Sequence, residues 1–332
     1  MKKGNIACLS FSEKGRALAN TIAAMLGGEA ACPKDGVSLA DWTAKAFAES
    51  SALVYVGAAG IAVRAIAPHL QSKTVDPAVI AVDECGHFAV SLLSGHLGGA
   101  NELAETIAAI CGGTAVITTA TDRNDVFAAD EWARMQGLTV LNPERIKRVS
   151  AKLLAGEPIK LGSAVPVDGP VPKGVQQLKN GSADIWVDIR AHDALMLVPP
   201  VLALGIGCRR GTAKETLEKR FAAFCAETGL LPEAIYAVAT IDLKRDEKGL
   251  GDFCASHGWP LNFCTAEELA AVEGHFTASG FVARTAGVDN VCERAAVKLA
   301  QGDLIAKKFA GEGVTFALAQ KPAQLDWRWH RG

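Results

Sequence analysis

Ser91-Leu92-Leu93-Ser94-Gly95-His96-Leu97-Gly98-Gly99-Ala100-Asn101-Glu102 is the stretch around which the rest of the chain is read. An apolar run from Phe88 to Leu93 leads into it as a strand. A helical pattern leaves it, with Leu103, Ile107 and Ile110 at i, i+4 and i+7. The glycines at 95, 98 and 99 allow positive φ and let a ligand approach the main chain closely. Asn101 is expected to cap the helix, whose N-terminal N–H groups would then face an anion. Strand, glycine turn and helix in that order form the repeating unit of an α/β fold.

The same alternation extends both ways. Strands are expected at Ile6–Phe11, Ala30–Cys32, Ala52–Val56, Val79–Val82 and Val116–Thr119. Helices are expected at Gly15–Leu26, Asp41–Glu49 with Ser38 as cap, Ile61–Leu70 and Asn101–Cys111. Such a pattern implies a mostly parallel sheet with helices on both faces and ligand loops at strand ends. From 136 to 198 the character changes, with prolines at 158, 166, 170 and 172 interrupting any long element. Pro199-Pro200 then opens a second α/β unit. It has a strand at Val201–Ile206, a turn through Gly205-Ile206-Gly207-Cys208-Arg209-Arg210-Gly211, and a capping box at Thr212-Ala213-Lys214-Glu215. Further helices are expected at Asp242–His257 and Val288–Gln301, a second capping box at Thr265–Glu268, and a final strand at Val314–Ala319. The fold class is therefore α/β: a three-layer α/β/α domain at 1–135, a small middle module or linker at 136–198, and a second α/β domain at 199–325.

Composition narrows the function. The 332 residues are 49% hydrophobic and 21% charged, with a net charge of −2, enough apolar matter for large cores. Without a basic excess, nucleic acid and anionic membrane surfaces are poor partners. No run approaches the ~18 apolar residues of a spanning helix, and the start lacks the apolar core of a signal peptide. A cytoplasmic location is expected. The nine cysteines are spread singly, without Cys-x-x-Cys, so neither a disulfide framework nor a protein-bound metal is expected.

Each candidate motif carries a structural alternative. Gly57-Ala58-Ala59-Gly60 follows a strand and opens a helix, as a cradle for phosphate or carboxylate would, but lacks the full dinucleotide fingerprint. His96, set among glycines, is either a proton carrier near neutral pH or a turn-closing imidazole. Asp83-Glu84 and Cys85-x-His87 form either a solvated hairpin turn or a second wall of the His96 pocket. Thr119 and Asp122 lie at a strand's carboxyl end, where doubly wound sheets bind ligands, or Asp122 simply caps a helix. Arg209 and Arg210 beside a helix start either receive a carboxylate or phosphate or form a solvated basic turn. Cys254-x-x-His257 and Cys264 could suggest a metal, but no fourth ligand has zinc-like spacing, and burial of the helix is the alternative.

Taken together, these stretches resemble the cobalt-precorrin-5A hydrolase family (CbiG) of anaerobic cobalamin biosynthesis. The resemblance runs through Val56–His69, Asp76–Val79, Val82–Glu84, Leu93–Asn101 and Ile117–Asp122. In the second half it runs through Gly205–Thr212, Thr240–Lys244 and Glu247–Leu250. A looser match at Asn290-Val291-Cys292-Glu293-Arg294-Ala295-Ala296 has Arg294 where the family pattern has proline. The resemblance implies a polycarboxylate tetrapyrrole substrate, cobalt-precorrin-5A, whose δ-lactone is opened by water with release of acetaldehyde. It implies no cofactor beyond the cobalt in the substrate, and contacts with other enzymes of the pathway. On that reading His96, Glu102, Asp83 and Glu84 are the candidate catalytic residues. Gly57, Gly60, Arg64, Gly95, Gly98, Gly99, Asn101, Thr119, Asp122, Gly207, Arg209 and Arg210 are the candidate substrate contacts, expected to form a cleft between the two glycine loops. The alternatives are a tetrapyrrole carrier without chemistry and a nucleotide-dependent oxidoreductase.

Overall fold

The computed structural model describes residues 5–33, 36–72, 75–96, 98–118, 126–278 and 287–329. They form two compact units, 1–134 and 135–332. Among the described residues no helix is long and apolar enough to cross a membrane.

The first unit contains β1 (Ile6–Ser10), α1 (Glu13–Leu26), β2 (Glu29–Ala31), α2 (Leu39–Glu49), β3 (Ala52–Val56) and α3 (Ala59–Ile66). It continues through β4 (Ala78–Val82), β5 (Phe88–Leu93), α4 (Ala100–Cys111), β6 (Thr114–Val116) and α5 (Ala129–Met135). The sheet order is β2-β1-β3-β4-β5-β6. β2, β1, β3 and β4 are parallel, β5 runs antiparallel to β4, and β6 is parallel to β5. All five residues of β3 are buried, as a central parallel strand covered on both faces requires. Alternate strand residues divide between two cores. Cys8, Val54, Val56 and Ile80 pack with Ile22 of α1 and Ile107 of α4. Leu9, Leu53, Tyr55 and Val79 pack with Phe47 of α2 and Ile66 of α3 on the opposite face. This is the expected three-layer arrangement. Ser38 caps α2 as expected, accepting from Asp41 N at 3.4 Å. Asn101 does not cap α4: Gly99 precedes the helix at φ 78°, and Asn101 lies buried inside it.

In the second unit, β7 (Thr139–Val140), α6 (Ile146–Leu154), β8 (Ile159–Ser163), β9 (Val167–Asp168), β10 (Val175–Leu178), β11 (Ile185–Val187) and β12 (Leu195–Val198) come first. Five of these strands make a sheet ordered β10-β8-β11-β12-β7, antiparallel only at β7. Next come β13 (Leu202–Cys208), α7 (Lys214–Thr228), β14 (Ile235–Ile241), α8 (Lys248–His257), β15 (Leu261–Cys264) and α9 (Ala266–Ala270). The chain closes with α10 (Cys292–Ala300), β16 (Asp303–Gly311), β17 (Val314–Gln320) and β18 (Leu325–Asp326). Here the sheet order is β15-β14-β13-β17-β16, parallel up to β13 and antiparallel beyond it. Ile189, Met196 and Val198 share one core with Leu204, Phe221, Phe253 and Phe316, so residues 139–198 pack onto this sheet. β18 pairs with β9, which docks the Trp327 end of the chain.

Several local expectations change. The box at 212–215 does not form, because the Thr212 hydroxyl donates to Arg209 O at 2.7 Å and α7 begins at Lys214. Thr265 and Glu268 do form their capping box. The helix expected at 242–257 is a single 3₁₀ turn, Asp242–Lys244, followed by α8 from Lys248. The one expected at 288–301 begins only at Cys292, after Asn290 Oδ1 accepts from Glu293 N at 2.8 Å. Edge strand β16 was not anticipated, its apolar pattern being broken by Lys307 and Lys308. α10 packs so closely on β13 that a Cβ on Gly205 would lie 1.8 Å from Cys292 O.

Glu293 is fully buried, and its carboxylate organises the chain around α10. It accepts from Thr277 N at 2.6 Å, the Thr277 hydroxyl at 2.8 Å, the Asn290 amide at 2.9 Å and Lys308 N at 2.7 Å. Removing it strands several buried donors at once. Glu293→Ala is expected to destabilise the protein by about 3 kcal/mol or more in chemical denaturation. A loss under about 1 kcal/mol would mean that water replaces the carboxylate.

Candidate active site

The turn after β5 is built from within. Ser94, at φ 57°, donates its hydroxyl to Asp76 O at 3.0 Å, just ahead of β4. Ala100 N donates to Ser94 O at 3.1 Å, Asn101 N to Gly95 O at 3.0 Å and Gly99 N to His96 O at 2.9 Å. The first N–H groups of α4 are thus taken by turn carbonyls, which corrects the expectation of an open anion cradle. The glycines serve packing: a Cβ on Gly95 would lie 2.7 Å from Asn101 Oδ1, and one on Gly98 would lie 2.4 Å from Ser94 Cβ. Asn101 Oδ1 accepts from the Ser91 hydroxyl at 2.7 Å, tying the helix back to the strand.

This frame leaves His96 buried, 9% exposed, with Nδ1 3.3 Å from Asp130 Oδ1. A carboxylate at Nδ1 fixes that nitrogen as the protonated one in the neutral ring and assigns the lone pair to Nε2. Asp130 is in the first turn of α5, followed by Glu131 and, one turn on, Arg134. The Arg134 guanidinium bonds Glu131 Oε1 through Nε at 3.1 Å and Nη2 at 2.5 Å, and meets Glu102 Oε2 of α4 at 2.6 Å. It therefore ties α4 to α5 and holds Asp130 against His96. Bonds to Glu131 and Glu102 raise the Arg134 pKa, overcoming the opposing effect of burial. Burial raises the Glu131 carboxyl despite the pull of Arg134, and among the described residues Glu131 Oε2 has no hydrogen-bond partner. Asp130, Glu131 and Arg134 were not singled out from sequence. Their signal was two adjacent acids entering a helix whose next residues, Trp132 and Ala133, are apolar and buried.

The remaining first-unit candidates lie elsewhere. Because β5 is antiparallel to β4, Asp83 and Glu84 are at the opposite end of β5 from His96, roughly 16 Å along the strand. They are not brought together with it. Asp83 closes the hairpin, accepting from Cys85 N at 2.8 Å and Phe88 N at 2.6 Å. Its carboxyl is held below its ordinary value because these donors outweigh burial. Gly57 shares that edge, its N–H donating to Val82 O at 2.8 Å. A Cβ there would meet the Phe11 ring at 2.7 Å. Arg64 Nη1 reaches back to Gly60 O at 3.4 Å. Thr119 and Asp122 lie outside the described residues.

In the second unit, a cavity of about 740 Å³ opens where α7 and α8 begin, lined by Arg210, Gly211, Lys214, Asp246, Glu247 and Lys248 among others. The Glu247 carboxylate accepts from Gly211 N at 2.7 Å and from Lys244 Nζ at 3.3 Å. These bonds lower its pKa against the effect of burial. The two adjacent arginines part company. Arg210 lines the cavity, whereas the Arg209 side chain packs on Gly313 in the β16–β17 turn. Gly207 is a packing glycine, since a Cβ would meet Thr315 Oγ1 at 2.5 Å.

Comparison with known proteins adds an independent line. Residues 41–122 match the family model described as cobalamin synthesis G N-terminal, and residues 202–319 match that for the cobalamin synthesis G C-terminus. The chain is 35% identical to a cobalt-precorrin-5A hydrolase of Salmonella typhimurium, covering 96% of this chain and 98% of the relative. It is 30% identical to one of Priestia megaterium, covering 82% and 79%. Among solved structures, CobE, a protein from the cobalamin biosynthetic pathway, is 33% identical over 36% of this chain and 89% of its own, with a TM-score of 0.35.

Since burial raises the Glu131 carboxyl, the folded state favours its protonated form. The stability linked to this group is full below the ordinary value of 4.5 and is lost as pH rises through the raised folded value. Glu131→Gln, which keeps an oxygen for Arg134, is expected to flatten that decline. Melting temperature followed upward from pH 4.5 checks this; curves of unchanged slope would refute it.

Proposed function

The chain belongs to the cobalamin synthesis G (CbiG) family, and on that footing we propose that it hydrolyses cobalt-precorrin-5A with His96 as the acid–base residue. The observation that carries the residue assignment is the buried His96–Asp130 pair inside the family-specific Leu93–Asn101 stretch.

Asp130 orients the ring and stabilises the imidazolium, so Nε2 takes a proton from water as that water adds to the lactone carbonyl. The carbonyl–oxygen bond breaks, leaving a carboxylic acid, which gives its proton to solvent, and a secondary alkoxide that accepts the proton held on Nε2. Loss of that hydroxyl proton then breaks the carbon–carbon bond. Acetaldehyde departs and the bonding electron pair remains on the macrocycle. One imidazole can serve both proton transfers because the pair returns to its neutral form between them. The cobalt arrives with the substrate and no cofactor of the protein's own is invoked. Glu102, joined to Arg134, holds the α4–α5 frame that seats Asp130.

The product and substrate are polycarboxylates, which suits the second unit's cavity: Arg210, Lys214 and Lys248 supply cations beside two helix starts. We assign a substrate carboxylate to Arg210 and a packing role to Arg209. All nine cysteines are free thiols, which suits a reducing cytoplasm.

The experiment is anaerobic incubation with cobalt-precorrin-5A and trapping of acetaldehyde. Wild-type protein is expected to release it, and failure to do so would overturn the hydrolase reading. His96→Ala should slow release by about 10²- to 10⁴-fold, and Asp130→Asn by less. A wild-type rate for His96→Ala removes the imidazole from the mechanism.

Arg210→Ala is expected to raise KM several-fold with little change in kcat, while Arg209→Ala leaves both near wild type. Steady-state kinetics of the two variants decides the matter, and equal effects would erase the distinction.

A further inference from the structure

The hairpin turn between β4 and β5 gathers three unlike metal donors. An oxygen of Asp83, the sulfur of Cys85 and an imidazole nitrogen of His87 all lie within 4.8 Å of one another. We propose that this turn binds a divalent late-transition-metal ion through Asp83, Cys85 and His87, with solvent completing the coordination.

The turn is shaped to present these groups. Gly86 N donates to Asp83 O at 2.9 Å, and Gly86 itself sits at φ 73°. That conformation lets residues 85 and 87 flank the turn with both side chains exposed. A Cβ on Gly86 would stand 3.0 Å from Cys111 Cβ, so the turn is seated on the end of α4. The Asp83 carboxylate is already oriented by Cys85 N and Phe88 N, the kind of outer support that metal-ligating carboxylates receive. Each of its oxygens keeps a second lone pair for a metal.

The charge pattern agrees. Lys14, in the first turn of α1, places Nζ 3.0 Å from Cys85 Sγ. A cation is thus drawn to the same sulfur, and Asp83 and Glu84 add negative charge beside it. Lys14 occupies one direction of approach and must swing away when the ion enters.

The donor set selects the ion. Sulfur and imidazole disfavour calcium and magnesium, and one oxygen, one sulfur and one nitrogen suit zinc or cobalt(II). Tetrahedral bond lengths near 2.0 to 2.3 Å put neighbouring donors about 3.5 Å apart. Closing from at most 4.8 Å takes a shift of roughly 1 Å in two exposed side chains. This site is at the opposite end of β5 from His96, so it stands independently of the hydrolase reading.

Metal-free full-length protein titrated with Co²⁺ under reducing, anaerobic conditions tests the proposal. Wild type should bind one equivalent and develop the near-ultraviolet charge-transfer absorbance of a cobalt–thiolate bond. Cys85→Ser should lose that absorbance, and His87→Ala should weaken binding by about tenfold or more. Lys14→Ala should tighten binding by removing the competing ammonium, which a purely structural lysine would not do. Zn²⁺ should abolish the absorbance by displacement. Absence of the band in wild type, or its persistence at unchanged affinity in both Cys85→Ser and His87→Ala, overturns the proposal and leaves Lys14–Cys85 as a simple polar contact.

Discussion

Val79 opposite Leu93 and Val82 opposite Ala89 make β4 and β5 an antiparallel pair inside an otherwise parallel half-sheet. That reversal decides where the loop after β5 emerges. The loops after β1, β3 and β4 leave one edge of the sheet, and the loop after β5 leaves the other. The bond from the Ser94 hydroxyl to Asp76 O pins the His96 turn beside the start of β4 rather than its end. A parallel α/β sheet offers ligands the carboxyl ends of its strands. Here His96 is at the carboxyl end of the reversed strand, so the two edges carry different residue sets. Gly57, Arg64 and Asp83 share one edge; Gly95, His96 and Asn101 share the other.

The His96 edge is held by electrostatics as much as by packing. Asp130 and Glu131 are adjacent acids on a short helix, both buried, and adjacent buried carboxylates repel. Arg134 makes the arrangement tenable by bonding Glu131 and Glu102 together. Its fork leaves Asp130 to face the imidazole, and Glu131 is the member whose protonation burial favours. Burial thus acts on Glu131, while Asp130 is the member set against the imidazole. Such a division between neighbouring carboxyls is the arrangement that gives two acids separate roles.

Much of this was readable beforehand, and the exceptions have physical causes. Strand and helix alternation, the two faces of β3, and the caps at Ser38 and Thr265 follow from periodicity and local chemistry. Asn101 and Thr212 failed as caps because each side chain found a nearer partner, Ser91 for one and the Arg209 carbonyl for the other. Those choices depend on the fold of the turn, which spacing does not reveal. The late start of α8 has a similar origin, since Glu247 turns toward Gly211 N. The direction of β5, by contrast, was available. Only Asp83–His87 separates the two strands, and a parallel crossover needs a dozen residues or more. Applied strictly, that rule separates Asp83 and Glu84 from His96. Asp130 was harder to find, because it is far from His96 in sequence and no spacing rule joins a glycine turn to a later helix.

The second unit shows the same principle with opposite effect. Arg209 and Arg210 are neighbours in a motif that reads as one basic anchor, yet in the turn that follows β13 the two side chains part. Gly313, at φ 78°, has no side chain, and the Arg209 methylenes fill that space against the β16–β17 turn. Arg210 is left at the cavity where α7 and α8 begin. There Glu247 already occupies Gly211 N and Lys244, which removes one N–H and one ammonium from any ligand's reach. The cavity is therefore not a general anion sink. Its lining sets Arg210, Lys214 and Lys248 against Asp246 and the bonded Glu247, so it is a patterned surface and not a uniformly basic one.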